Sequence, residues 1–324
     1  MDRRAFIGTI AGDLLAAPLA AEAQQVGKVY RIGSFLAELP RTAPGEGQWY
    51  DRMRELGWVY GQHFVVERRT YGDQPERIPD LAAELLRSRV DVFVVGGDLH
   101  ARLLQKVTRT IPIVVSEAED LVQNGLAASV ARPGSNVTGT QTLQPEVVGK
   151  QLAILKEAIP GLSRAGVLKG GPEVSAAVRA AETSGKALGI RLLIESVFRV
   201  EDFGPAFSAL RAGRAQGALV LRSRFMGIHR KTVADLALKN RIPTISEFST
   251  FAMLGGLLSY GYDLRELYRL LAETVDTILR GTPVSEVPIR QVTTFQLIIN
   301  LKTAKALGLT IPPSLLQRAD QVIE

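Results

Sequence analysis

The sequence predicts an α/β protein built as two doubly wound, Rossmann-like lobes. Three observations carry this expectation. Strand-like and helix-like runs alternate along nearly the whole chain, the strand-like runs are short and mostly apolar, and the rhythm closes near Val137-Thr138-Gly139 and restarts at Pro145. Such alternation belongs to parallel sheets joined by helices, and continuous apolar strands belong to sheets covered on both faces. No sequence repeat relates the halves, so the division rests on element order.

In the first half, residues 29–35 read as a buried strand. Trp49, Met53 and Leu56 recur at helical spacing, with Gly57 where a helix C-cap belongs. Residues 63–69 alternate as a strand, and Ile78, Leu81, Ala82 and Leu85 form one apolar helix face. A strand at 90–95 ends in Gly96-Gly97-Asp98, and Leu103, Leu104 and Val107 mark the next helix. Residues 111–115 are another buried strand.

In the second half, Pro145 suits the first turn of a helix carrying Val148, Leu152 and Leu155, which stops at Pro160-Gly161. A strand at 165–168 leads through Lys169-Gly170-Gly171 into a helix opened by Pro172. Strands follow at 190–197, 218–221 and 243–245, with helices over 202–212 and 232–239. The last third adds a strand at 255–260, a long amphipathic helix Leu264–Leu279, a strand at 295–299 and a helix Leu301–Leu307. These late elements fit either lobe.

The N-terminus predicts where the protein works. Arg3 and Arg4 precede Phe6 and Ile7, an apolar stretch runs from Gly8 to Ala20, and Ala21-Glu22-Ala23 offers small residues before Gln24. This is the layout of an export signal over 1–23, cleaved after Ala23, and the paired arginines point to the twin-arginine route. No cysteine follows to carry a lipid; the chain has none at all, which also excludes disulfides, thiol nucleophiles and thiolate metal sites. The expected product is a free periplasmic protein held together by packing alone. The formal charge of the full chain is +6, but the arginines are spread along the chain instead of forming a block, so nucleic acid is not an expected partner.

Ligands of open parallel sheets bind beyond the carboxyl ends of the strands. Those ends supply Ser34 and Phe35, Gly97 and Asp98, and Ser116 and Glu117 from the first half. The second half supplies Lys169 and Gly170, Arg222 and Ser223, Glu247 and Phe248, and Tyr260. Glycines there also serve as plain turn residues, and Asp98 equally suits a helix N-cap. Catalytic constellations do not appear: there is no G-x-S-x-G, no phosphate loop and no G-x-G-x-x-G. The three histidines, His63, His100 and His229, lack metal-binding spacing. The site is expected to hold no catalytic residue, no metal and no cofactor. A binder of a small molecule fits best.

Several stretches carry a family resemblance. The ending INLKTAKALGLTIPPSLLQRADQVIE resembles that of ABC-transporter substrate-binding proteins of the tryptophan- and tyrosine-uptake type. GKVYRIGSF, RELGWVYGQHFVVE, LAAELLRSRVDVFVV, ARPGSNVTGT and GGLLSYGYDLRELYR extend the likeness along the chain. The resemblance implies a type I periplasmic-binding-protein fold with three crossovers, near 136–139, 258–261 and 291–294. One lobe would hold 26–140 plus 262–290, the other 141–261 plus 291–324. It further implies an amino acid or related carboxylate bound between the lobes, and a membrane permease as partner, the membrane being touched only through that permease. Lys169, Arg222 and Arg224 depart from the family pattern and point to an extra carboxylate on the ligand, since such cations pair with anions. The competing readings are a regulator, which would need a DNA-reading domain ahead of the lobes, a secreted enzyme using Asp98 or Glu247 as general base, and a sensor subunit presenting ligand to a membrane receptor.

Overall fold

The computed structural model describes residues 28–36, 46–72, 74–142, 144–171 and 175–324. The export signal expected at 1–23 and the helix start expected at Pro172 lie outside the described residues.

Two sheets organise the chain, as the alternation predicts. The first has six strands in the order β11-β5-β4-β3-β1-β2. These are β1 (Tyr30–Ser34), β2 (Phe64–Arg68), β3 (Val92–Val95), β4 (Ile113–Ala118), β5 (Val137–Gln141) and β11 (Arg290–Gln291), all paired in parallel. Because successive side chains of a strand point to opposite faces, Phe93, Val95, Ile113 and Val115 pack under helices α2 (Ile78–Arg87) and α3 (Asp98–Gln105). Val92, Val94 and Val114 pack on the other face with Trp49 and Met53 of α1 (Glu46–Glu55) and Tyr268, Leu271 and Val275 of α10 (Leu264–Leu279).

The second sheet has seven strands in the order β13-β12-β10-β9-β8-β6-β7. They are β6 (Arg164–Lys169), β7 (Arg191–Ser196), β8 (Gly217–Val220), β9 (Thr244–Ser246), β10 (Leu258–Tyr262), β12 (Phe295–Asn300) and β13 (Gln321–Ile323). Val167, Leu219 and Ile245 face α4 (Gln144–Ala158) and α5 (Ser175–Leu188), while Leu168, Ala218 and Val220 face α6 (Phe203–Ala212) and α8 (Arg230–Lys239). The β10–β12 pair is antiparallel. Element order does not reveal this reversal, because β12 enters directly from the other lobe.

The chain crosses between sheets three times: after β5, after β10 and between β11 and β12. Strand pairing carries Gln141 and Gln291 into the first sheet and Tyr262 into the second. Beside the crossovers, Tyr262, Leu267, Leu270 and Val292 form a small apolar cluster of their own. Asp263 caps α10 by accepting a hydrogen bond from the Arg265 amide (2.8 Å), and Glu266 accepts one from the Thr294 amide (2.7 Å). The Glu266–Thr294 bond ties two of the crossings together.

One glycine in each sheet permits an unusually close approach. A Cβ on Gly139 (φ +153°) would lie 2.0 Å from the Val115 carbonyl oxygen, and one on Gly261 would lie 2.0 Å from the Glu247 carbonyl oxygen. No side chain fits at such distances, so each crossing strand lies flush against its neighbour's carboxyl end.

Candidate functional site

The carboxyl ends of the two sheets meet around one buried arginine. Arg222, just past β8, has a side chain 13% exposed and forms an ion pair with Glu117 of β4 in the other lobe. Glu117 also accepts a hydrogen bond of 2.8 Å from the Tyr262 hydroxyl at the end of β10. The guanidinium lies 4.9 Å from the centre of the Tyr262 ring and 5.6 Å from that of Phe248, close enough for cation–π attraction. Glu247, which follows β9, completes the group with its Oε1 at 3.7 Å from Arg222 Nη1.

Glu247 is the odd member. It is buried, and 3.7 Å is too long for a hydrogen bond; its Oε1 has no hydrogen-bond partner among the described residues. Burial pushes its carboxyl up to about 7, with Glu117 and Glu119 adding to the rise and Arg222 opposing it. Burial likewise holds the Tyr262 hydroxyl well above its usual range, so it stays protonated and donates to Glu117.

A second interlobe contact lies two residues further on. Arg224 opens the short helix α7 (Arg224–Ile228), stacks over the Tyr71 ring at 4.1 Å, and donates to the Tyr71 hydroxyl (2.6 Å) and the Gly72 carbonyl (2.8 Å). The same hydroxyl lies 2.7 Å from His100 Nε2. Burial and then the Arg224 charge hold His100 down at about 4, so it is neutral at ordinary pH.

The strand-end residues expected from sequence divide into three groups. Glu117, Arg222, Glu247 and Phe248 come together as described. Gly97, Gly170, Ser116 and Ser223 build the backbone around them. Gly97 caps α3, and Gly170 leaves space beside Ser223, whose hydroxyl a Cβ there would meet at 2.9 Å. Ser223 caps α7 by accepting from the Met226 amide (3.2 Å), and the buried Ser116 offers its carbonyl to Thr140. Lys169 ends β6, where its carbonyl accepts from the Val197 amide.

The others face elsewhere. Phe35 is 1% exposed and stacks on Phe93 in the core, and Ser34 serves its own turn by accepting from the Leu36 amide. Asp98 is neither a cleft group nor a side-chain N-cap: its carboxylate accepts from the Glu119 and Asp120 amides and from Asn124, which fixes the loop after β4. Tyr260 stacks on Phe295, with ring centres 6.0 Å apart. The expected strand stops at Tyr260, whereas β10 continues to Tyr262, because Gly261 and Tyr262 pair with Gln296 and Phe295. Tyr262 is therefore the tyrosine at the site. Arg222 pairs with Glu117 and lies near Glu247, so carboxylates of the protein itself stand beside its charge. Sequence reasoning missed Tyr71 and the contact role of His100, which share no local motif.

Two α/β lobes joined by three crossings, with polar strand ends meeting between them, define a type I periplasmic-binding-protein fold. The profile of the ABC transporter substrate binding protein family matches residues 50–323, and the chain belongs to that family. A tyrosine-binding protein of Clostridioides difficile is 22% identical over 278 residues, covering 85% of this chain and 80% of that protein. The crystal structure of a conserved domain protein from Vibrio cholerae matches with a TM-score of 0.82 at 24% identity, covering 91% of this chain and all of that one. An ABC domain in complex with L-Trp from Streptococcus pneumoniae matches with a TM-score of 0.79 at 20% identity, over 91% of this chain and all of that one.

Proposed function

We propose that this chain is the exported solute receptor of an ABC uptake transporter. It binds a small amino-acid-type ligand between its lobes and presents it to a membrane permease. Export is read from the twin-arginine-like pattern at 1–23, and cleavage after Ala23 would leave a periplasmic protein beginning at Gln24. The observation that carries the reading is the buried interlobe group of Glu117, Arg222, Glu247 and Tyr262. It sits at the carboxyl ends of both sheets, where a ligand can touch both lobes at once. The relatives named for tyrosine and for L-Trp support an amino acid as the ligand class.

The enzyme reading loses one of its two candidate bases, because the loop at 119–124 occupies the Asp98 carboxylate. Glu247 remains, and we read it as a receptor carboxylate, in keeping with the solute-binding family.

A melting screen of the mature protein against L-amino acids, dicarboxylates and aromatic acids tests the proposal. A ligand at about 100 times its Kd adds roughly 2.7 kcal/mol, which is several degrees in Tm for a chain of this size. At least one amino acid should raise Tm by that amount. A flat response across all classes would overturn the receptor reading.

A further inference from the structure

We propose that the face of the second lobe at the amino ends of its strands, which points away from the cleft, docks on an anionic phospholipid surface through a cluster of unpaired arginines and lysines. Such docking leaves the cleft and its solute untouched.

The fold sorts charge that is evenly spread in the sequence. The second lobe, 142–262 plus 292–324, holds 19 lysines and arginines against 11 aspartates and glutamates, whereas the first, 28–141 plus 263–291, holds 18 against 19. The cationic excess of the chain therefore lies on one lobe. Topology concentrates it further. Helices between parallel strands run back against them, so α5, α6 and α8 end at the amino ends of the strands and bring Lys186, Arg211 and Lys239 there in their last turns. The strands add Arg191, the first residue of β7, and Arg214 and Arg241, which stand three residues ahead of β8 and β9. Strands β9, β8, β6 and β7 are neighbours in the sheet, so the six cations share one face.

All six are exposed, and among the described residues none makes an ion pair or a side-chain hydrogen bond. The acids nearby are taken or set back. Glu157 pairs with Arg318, Asp235 pairs with Lys231, and Glu182 lies a turn before Lys186 on α5. Glu324 ends the chain beside β13, at the opposite side of the sheet from β7.

Two of the arginines stand where the same fold elsewhere uses glycine. The left-handed residue ahead of β6, β7 and β10 is Gly161, Gly189 and Gly255 (φ +80°, +67° and +104°), but ahead of β8 and β9 it is Arg214 and Arg241 (φ +56° and +53°). A β-carbon disfavours that conformation, so glycine there would remove charge and keep the turn.

Unpaired cations spread over a broad face suit a surface of many phosphate charges. Leu238, 37% exposed beside Lys239, adds an apolar side chain that a headgroup layer can take up. Among the described residues the well-exposed aromatics are Tyr60, on the first lobe, and Phe198, beyond the carboxyl end of β7. This face therefore offers no ring on which unpaired bases could stack, which favours lipid over a single-stranded nucleic acid.

The test is co-sedimentation of the mature protein with vesicles at low salt. Vesicles of equal parts phosphatidylcholine and phosphatidylglycerol should carry the protein down, and phosphatidylcholine alone should not. Salt at about 1 M, which shortens the screening length to about 3 Å, should release it. Each cation near an anionic surface strengthens binding about fivefold, so the double variant Arg214→Gly, Arg241→Gly should bind about thirtyfold more weakly. Arg89→Gly makes the same exchange in the same conformation (φ +57°) on the first lobe and should bind like the unaltered protein. The lipid and salt comparisons use the unaltered protein, so they decide the matter even if a variant fails to fold. Failure to sediment with the anionic vesicles, equal sedimentation with neutral ones, or an equal loss in Arg89→Gly would overturn the proposal. Tighter binding to a DNA duplex than to vesicles of the same phosphate concentration would do so as well.

Discussion

Arg222 and Arg224 stand two residues apart at the end of the same strand, and both reach the opposite lobe, yet they are held in opposite ways. Arg222 is buried against carboxylates and aromatic rings, so its contact depends on which neighbours are ionised. The Arg224 guanidinium rests instead on the Tyr71 ring and binds a hydroxyl and a carbonyl. Its contact depends on shape and on a neutral histidine behind the tyrosine. The same burial that pushes an acid up beside Arg222 pushes a base down beside Arg224. One residue type thus makes an electrostatic bridge in one place and a geometric latch in the other, and the surroundings decide which.

The sharpest way to break this contrast is to remove Arg222. Arg222→Ala leaves Glu117 and Glu247 without their cation and should cost about 3–5 kcal/mol, read from urea unfolding. Adding Glu247→Gln should return a large part of that loss, as expected for a coupled pair. A cost below about 1 kcal/mol would place Arg222 with ordinary surface ion pairs and erase the difference.

The pH dependence separates the two regions next. Glu247, raised from 4.5 to about 7, keeps a proton in the folded protein that the unfolded chain has released, so its contribution is full below 4.5 and is lost as pH rises through 7. His100, lowered from 6.5 to about 4, does the reverse: its contribution is full above 6.5 and is lost as pH falls through 4. Over the shared window the two slopes oppose each other, and stability should be nearly flat. Glu247→Gln should expose the histidine limb, with stability rising with pH by up to about 3 kcal/mol. His100→Gln, which keeps a hydrogen-bonding group beside Tyr71, should expose the opposite limb. A profile unchanged by both substitutions would mean that neither group is linked to folding.

The smallest effect is expected at the latch. Arg224→Ala removes a cation–π contact and two hydrogen bonds at the cleft edge, which is worth about 1–2 kcal/mol. It should also enlarge the radius of gyration in X-ray scattering as the lobes part. Arg224→Lys keeps the charge but not the planar fork and should behave almost like alanine. An unchanged radius for both would mean that the Arg222 bridge alone holds the lobes together.

The sequence by itself determined the alternation of elements, the two-lobed plan, and four of the residues that meet at the site, Glu117, Arg222, Glu247 and Phe248. These are local properties: apolar periodicity marks the strands, and a parallel strand's carboxyl end is marked by where its apolar run stops. Only the tertiary structure decided what each polar residue binds. Asp98 reads as a cleft residue by position, but the loop returning from β4 takes its carboxylate. Tyr262 lies beyond the expected strand because its pairing partner, Phe295, arrives from the last crossing. Tyr71, in the loop after β2, and His100, on α3, bond each other, and Tyr71 meets Arg224, which lies 153 residues further along the chain. A side chain's periodicity tells whether it is buried; its partner is fixed by distances that close only when both sheets have formed and the crossings have set their facing ends together.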